Sequence, residues 1–145
     1  ELPENVFVGG FIGSPAMNFM NVRLEDGYAV LGQTKIKVPE GKMKTLRQQG
    51  YVGKEVILGI RPEDIHDEPL FIDASKETAF DALIDVAELM GAETYLYSTI
   101  EGHEFIARID SRHDVKNGQK LKLAFDMNKA HFFDPVTEKR IAAKA

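Results

Sequence analysis

Two stretches of this chain repeat one pattern, and that repeat limits the fold more than any other feature of the sequence. "GKEVILGIRPEDI" (53–65) and "GQKLKLAFDMNKA" (118–130) align without gaps. Each has a glycine, a polar step, an apolar strand-like run and then a polar turn. The period is too long for a solenoid but suits a duplicated lobe. We therefore predict two similar small β units, about 17–73 and 79–141, that share one core.

Short strand patterns separated by turn residues fill most of the chain. "TKIKV", "EVILGI", "EFIARI" and "KLKLAF" read as strands, and Asp26-Gly27 and Asn117-Gly118 are turn dipeptides. "KMKTLRQQ" is predicted to form one or two helical turns. Many short strands at regular spacing predict an all-β fold with short helices, built as a closed or partly closed barrel.

The segment "AFDALIDVAELM" (79–90) fits two patterns. Its apolar residues form a stripe at helical spacing, and a subset of them also alternates as in a strand. Local propensity favours the helix. In a helix Asp81, Asp85 and Glu88 would line one face, whereas in a strand they would separate.

Charge and composition argue against several classes of function. The chain of 145 residues has 23 acidic and 18 basic side chains and a net charge of -5, which argues against wholesale binding to a phosphate backbone. It has no cysteine, so disulfides and thiolate metal sites are excluded. No apolar run approaches the ~18 residues that a membrane-spanning helix needs.

The motifs that come closest to catalytic or binding signatures are incomplete. "GYVGKE" (50–55) is too short for a phosphate-binding loop, and no Ser or Thr follows Lys54 to hold magnesium. In "HEFIA" (103–107), Ala107 stands where the second ligand of a helical zinc motif belongs. The sequence therefore predicts no catalytic residue, no cofactor site and no metal site in this chain.

"GIRPEDI" (59–65) is the most pointed local motif. Pro62 fixes a turn, and the guanidinium of Arg61 suits a carboxylate partner such as Glu63, Asp64 or a residue across an interface. Two interpretations stay open: a turn held by a local ion pair, or a contact between domains.

Four stretches resemble, in the same order, the C-terminal regulatory domain of ATP-binding subunits of carbohydrate-import ABC transporters, the family of the maltose and multiple-sugar importer ATPases. They are "PENVFVGGFIGSPAMNF" (3–19), "LGIRPEDI" (58–65), "ELMGAETYLY" (88–97) and "FDPVTEKRI" (133–141). One position departs from the family: Glu138 stands where glycine is frequent.

The resemblance implies a fold and a domain organisation. It implies two intertwined OB-like lobes of the TOBE/MOP type, related to molybdate-binding modules, with 79–90 mostly strand. It also implies that 1–16 is a helical connector to a nucleotide-binding domain missing here, and that 17–145 is the regulatory barrel. Phe7, Phe11 and Ile12 would pack on that missing domain.

The resemblance also implies a regulatory and dimerisation role in ATP-driven sugar uptake. ATP and magnesium would bind in the missing nucleotide-binding domain, and none would bind in this chain. The implied partners are that domain, a second copy, membrane permease subunits and a phosphotransferase-system regulator, with no nucleic acid. The implied location is cytoplasmic, on the inner face of the plasma membrane. The residues implied at the barrel–barrel contact are Glu88, Gly91, Glu93 and Phe133, with Arg61 and Glu63 in a structural or interdomain turn.

Two other functions are kept as alternatives. Tyr95 and Tyr97 are spaced to share one strand face, and Arg108 and Arg112 follow nearby, which is typical of an OB-fold module for single-stranded nucleic acid. The acidic Glu93 beside them argues against that interpretation. The second alternative is a stand-alone oxyanion-binding module.

Overall fold

The computed structural model describes residues 16–143, and this range is mostly β-strand with two short α-helices and three single 3-10 turns. The helices are α1 (Glu40–Gln48) and α2 (Pro69–Ala74), and the 3-10 turns are Pro62–Asp64, Lys76–Thr78 and Met127–Lys129. The strands are β1 (Asn18–Glu25), β2 (Tyr28–Leu31), β3 (Thr34–Lys37), β4 (Glu55–Ile60), β5 (Ile65–His66), β6 (Ala79–Met90), β7 (Glu93–Ile100), β8 (His103–Asp110), β9 (Lys120–Phe125) and β10 (His131–Phe133). The predicted all-β class with short helices is confirmed.

The strands form two antiparallel five-stranded sheets, one for each lobe. The first has the order β10-β4-β1-β2-β3, and the second has the order β5-β9-β6-β7-β8. Alternating burial along β1 and β7 shows that each sheet turns one face to the core and one face outward. In the second sheet, β5 and β8 lie at opposite ends of the order but contact each other, so that sheet curls into a barrel.

The local helical preference of residues 79–90 is wrong, and the strand implied by the resemblance is confirmed. β6 pairs with β9 along its first half and with β7 along most of its length. Phe80, Ala82 and Ile84 are buried in alternation with exposed neighbours. Burial and pairing with two neighbours outweigh the intrinsic preference of these residues.

Each lobe completes its sheet with a strand from the other half of the chain. β5 follows the 3-10 turn after β4 but pairs with β9, whereas β10 follows the equivalent turn after β9 and pairs with β4. His66 lies opposite Ala124, and His131 lies opposite Gly59. The same sequence offset that separates the two repeats relates these two pairs, so the internal duplication is confirmed.

One large hydrophobic cluster of the described residues runs through both lobes, and Met17, Ile57 and Phe133 form a smaller, separate one. The large cluster includes Leu24 and Leu58 from the first sheet and Phe80, Phe105 and Phe125 from the second. The three phenylalanine rings meet edge to face, with centroids 4.7 to 5.9 Å apart, a favoured aromatic geometry. The boundaries 17–73 and 79–141, and the barrel domain 17–145, remain predictions.

Asn18 connects the two lobes by hydrogen bonds at the start of β1. Its side-chain amide donates to the carbonyls of Ile60 (3.1 Å) and Ile106 (2.9 Å), and its Oδ1 accepts from the Ile106 N–H at 2.8 Å. Asn18 is only 6% exposed. Buried polar groups that are fully bonded fix one arrangement of the surrounding elements, so β1 of the first sheet is held in place against β8 of the second.

Candidate functional site

The outward face of the β6–β8 sheet is the candidate functional site, and we call it the hairpin face. Side chains directly opposite each other on paired strands share a face. Val86 lies opposite Tyr97, and Glu88 lies opposite Tyr95. The hairpin face consists of Val86, Glu88 and Met90 from β6, Glu93, Tyr95 and Tyr97 from β7, and Ile106 and Arg108 from β8.

A bulge in β6 gives this face its apolar character. The pairing register shifts between Ile84 and Val86, so Asp85 is an extra residue and Val86 turns outward. Val86 is 43% exposed and Met90 is 51% exposed. Bulges commonly redirect side chains at functional sites, and exposed apolar residues gathered on one face are typical of a surface that contacts another protein.

Arg108 lies at the centre of an ion-pair cluster on the hairpin face. Its guanidinium is 3.4 Å from Glu63 and 3.3 Å from Glu93. Burial opposes the charged form, but the attraction of Glu63, a hydrogen bond with Tyr95 and the attraction of Glu93 together raise the pKa of Arg108. Its Nε is the atom that faces Glu93 Oε2 at 3.3 Å, although the geometry is not that of a hydrogen bond. The guanidinium is therefore charged and held in place between two carboxylates.

Arg108 thus joins Glu63, which the resemblance implies in a structural or interdomain turn, to Glu93, which it implies at the barrel–barrel contact. The sequence interpretation did not give Arg108 this role and considered it only for nucleic-acid binding. The sequence does contain a pattern that points to Arg108. Phe105, Ala107 and Ile109 are apolar and alternate with it, so Arg108 is predicted to point outward, and the register places it opposite Tyr95.

Glu88 and Gly91 also belong to the β6–β7 hairpin. The hydroxyl of Tyr97 donates to Glu88 at 3.3 Å. Burial and the nearby Glu88 carboxylate raise the pKa of Tyr97, so the phenol is neutral and can donate. Gly91 has a φ of 65° and forms the exposed turn of the hairpin, a conformation that favours glycine.

The remaining predicted residues lie elsewhere. Phe133 is fully buried and packs against Phe19, with ring centroids 5.6 Å apart. Arg61 is half-buried, and its charge acts on Asp64 and His131. The structure therefore does not bring these two residues to the hairpin face. The predicted connector residues Phe7, Phe11 and Ile12 are outside the described range.

The three acidic residues of β6 separate as expected for a strand. Asp81 forms an ion pair with Lys122 at 3.3 Å. Asp85 accepts from the Thr99 hydroxyl at 2.6 Å, and Glu88 accepts from Tyr97. These carboxylates have different partners and do not form an acid–base pair.

Residues 16–143 contain neither a metal-binding cluster nor a membrane-spanning helix. No cluster of three or more His, Cys, Asp or Glu side chains is placed to hold a metal ion. No helix in this range has the length and apolar character needed to cross a lipid bilayer.

Two protein-family models match this chain. A family model described as the MalK OB fold domain matches residues 13–65, and one described as the TOBE domain matches residues 58–133. The chain belongs to the TOBE domain family. The two matches together cover both lobes of this TOBE domain, and the family resemblance found in the sequence is confirmed.

The relatives of this TOBE domain carry names from sugar import. The oligosaccharides import ATP-binding protein MsmX of Bacillus subtilis is 60% identical over 141 residues, which are 97% of this chain and 39% of the relative. The multiple sugar-binding transport ATP-binding protein MsmK of Streptococcus mutans is 46% identical over 96% of this chain and 37% of the relative. The trehalose/maltose import ATP-binding protein MalK of Thermococcus litoralis is 38% identical over 97% and 38%. The chain thus spans about two-fifths of the length of these relatives.

A solved structure of the cytoplasmic molybdate-binding protein ModG shares the fold. Its TM-score is 0.63 at 13% identity, and the match covers 86% of this chain and 99% of that one. This likeness confirms the predicted two-lobed barrel of the TOBE/MOP type.

Proposed function

We propose that this TOBE domain is the regulatory and dimerisation part of the ATP-binding subunit of an ABC-type sugar importer. The observation that supports it most is the 60% identity to an oligosaccharide-import ATP-binding protein along 97% of the chain. In this proposal ATP and Mg²⁺ bind in the nucleotide-binding part of the subunit, which also contacts the permease subunits. The subunit then works in the cytoplasm on the inner face of the plasma membrane, and a phosphotransferase-system protein is a further candidate partner.

The hairpin face is the proposed contact between two copies of the subunit. Its exposed Val86 and Met90 supply apolar area, and two tyrosines supply large amphipathic side chains of the type that anchors protein interfaces. Glu88, Gly91 and Glu93, which the resemblance implies at the barrel–barrel contact, all belong to this hairpin.

The alternative functions find less support. A single-strand binder needs free basic side chains beside its aromatic residues. Arg108 is paired with two carboxylates, and Arg112 is paired with Asp67 at 2.9 Å and Asp114 at 2.7 Å. The likeness to the molybdate-binding ModG is one of fold alone, at 13% identity, so it does not support oxyanion binding by this chain.

A chimera tests the proposed role. In it this chain replaces the matched segment of Bacillus subtilis MsmX, in a strain that lacks the native protein. We expect the chimera to restore oligosaccharide uptake. Failure of a folded chimera that still hydrolyses ATP would contradict the proposal. Binding of oligonucleotides by the chain at physiological salt would favour the nucleic-acid alternative instead.

Cysteine cross-linking tests the proposed contact separately. The chain has no cysteine, so Met90→Cys in an otherwise cysteine-free chimera gives a single thiol in the hairpin. We expect oxidation to join two subunits through this position. The matched control is Val136→Cys, since Val136 is 89% exposed but lies outside the hairpin face. Equal cross-linking of the two variants would contradict the assigned surface.

A further inference from the structure

A cavity of about 300 Å³ lies between α1 and the C-terminal part of the described chain. Lys42, Thr45 and Leu46 line it from the helix. His131 and Phe132 of β10 and the following Arg140 line it from the opposite side. The cavity belongs to the first lobe and does not include residues of the hairpin face.

The cavity brings together basic side chains that lack acidic partners. Within residues 16–143, neither Lys42 nor Arg140 forms an ion pair, and the Nε of Arg140 is buried with no hydrogen-bond partner. By contrast, Arg47, which lies on the same helix as Lys42, forms ion pairs with both Asp26 and Glu40. A buried guanidinium donor without an acceptor is rare in folded proteins.

The charges of this group disfavour one another. Burial, followed by repulsion from Arg140, lowers the pKa of Lys42, although the smaller attraction of Asp126 acts in the opposite direction. Burial, followed by repulsion from Lys42, Arg140 and Arg61, lowers the pKa of His131 to about 4. In a chain with a net charge of -5, this is a concentrated positive region directed into a cavity, and a bound anion would relieve the repulsion.

We propose that this cavity binds the phosphate group of a small phosphorylated metabolite. A phosphomonoester carries close to two negative charges and several acceptor oxygens, which suit the donors of Lys42, Arg140 and Thr45. The cavity is larger than a bare phosphate, and the partly exposed Ile141 in its lining offers apolar surface to the carbon part of the ligand. The inference does not depend on the proposed transport function, because it concerns binding to this chain alone.

The test measures binding of three probes to the 145-residue chain: a hexose 6-phosphate, inorganic phosphate and the unphosphorylated hexose. A ligand that binds only the folded state raises the melting temperature. We expect the hexose phosphate to raise it more than inorganic phosphate at equal concentration, and the hexose to have no effect. Nuclear magnetic resonance of His131 should show its pKa rising on binding, since a nearby anion favours the imidazolium form.

Variants establish the location of the site. We expect Lys42→Gln and Arg140→Gln each to weaken binding of the hexose phosphate about tenfold or more, the loss of one charge-assisted hydrogen bond. Because each change removes charge repulsion, the unliganded variants should unfold at the same temperature as the native chain or above it, which separates lost binding from lost folding. The matched control Lys44→Gln changes an exposed lysine on the same helix and should bind as the native chain does.

Three results would overturn the proposal. One is the absence of any change in the melting temperature and in the His131 resonances with the hexose phosphate. Another is equal affinity of the native chain and Arg140→Gln. The third is equal affinity for inorganic phosphate and the hexose phosphate, which would remove the organic part of the ligand from the proposal.

Discussion

At the scale of single residues, Asn18 carries an unusual share of the contact between the lobes. We expect Asn18→Ala to lower the free energy of unfolding by about 2–3 kcal/mol, because the Ile106 N–H and the carbonyls of Ile60 and Ile106 lose a hydrogen bond. Urea denaturation measures this loss. Asn21→Ala on the same strand is the control, since Asn21 is exposed, and it should change stability by less than about 0.5 kcal/mol. Equal effects of the two changes would show that Asn18 is not the connecting residue.

The turn after β10 shows what the sequence could and could not predict about single residues. Asp134-Pro135 predicts a turn, and Asp134 Oδ1 does accept from the backbone of Val136 and Thr137. Glu138 has a φ of 60°, a conformation that glycine adopts more easily. The bond from the Tyr51 hydroxyl to Asp134 at 2.7 Å joins residues far apart in the chain, so no local pattern predicts it.

At the scale of elements, Gly59 allows β10 to lie on β4. A Cβ at this position would come within 2.6 Å of the Met17 sulfur and 2.8 Å of the Phe133 ring. We therefore expect Gly59→Ala to lower the free energy of unfolding by about 1–3 kcal/mol through overpacking. Thermal or urea unfolding followed by circular dichroism measures the change.

The control for Gly59 is another glycine with free space around it. Gly41 lies in the first turn of α1, and nothing lies within 4 Å of the Cβ it would gain. Gly41→Ala should raise stability by up to about 1 kcal/mol, because alanine favours the helix. If Gly59→Ala were as harmless as Gly41→Ala, close packing at this crossing would not be what fixes β10.

Most elements follow from local patterns, and the exception has a physical cause. The strand patterns "TKIKV", "EVILGI", "EFIARI" and "KLKLAF" predict β3, β4, β8 and β9, and β8 shows the alternating burial that its pattern predicts. Residues 79–90 favour a helix locally but form a strand because β7 and β9 pair with both of its edges. That information lies in other segments, so it entered the prediction only through the family resemblance.

At the scale of the whole molecule, His131 makes stability depend on pH. Its pKa is lowered to about 4 in the folded chain, by burial first and then by the charges of Lys42, Arg140 and Arg61. An imidazole in the unfolded chain titrates near 6.5, so the unfolded state binds more protons between these two values. The contribution of neutral His131 is complete above that range and is lost as the pH falls towards 4.

The comparison of two variants isolates this effect. We expect His131→Gln to lose less stability than the native chain between about pH 7 and pH 4, and His113→Gln, at an exposed position, to follow the native profile. Burial raises the pKa of Asp64, which works in the opposite direction in every variant and so cancels in the comparison. Parallel profiles for the native chain and His131→Gln would refute the assignment.

The type of architecture was predictable from the sequence, but the pairing of β5 and β10 with the opposite lobe was not. The repeat at 53–65 and 118–130 predicted two lobes that share a core, and the family resemblance predicted their barrel type. The sequence predicted Glu88 and Glu93 of the hairpin face, but the place of Arg108 at its centre became known only from the strand register. The exchange of β5 and β10 could not be read from either repeat, because each repeat is complete in its own local pattern.

That exchange sets an order for folding during synthesis. A ribosome makes the first half of the chain first, and β4 has no edge neighbour on one side until residues 131–133 have left the exit tunnel. The nascent first half therefore exposes an unpaired strand edge for as long as the second half is being translated. A message truncated between the two halves would yield a product whose first sheet lacks its edge strand β10.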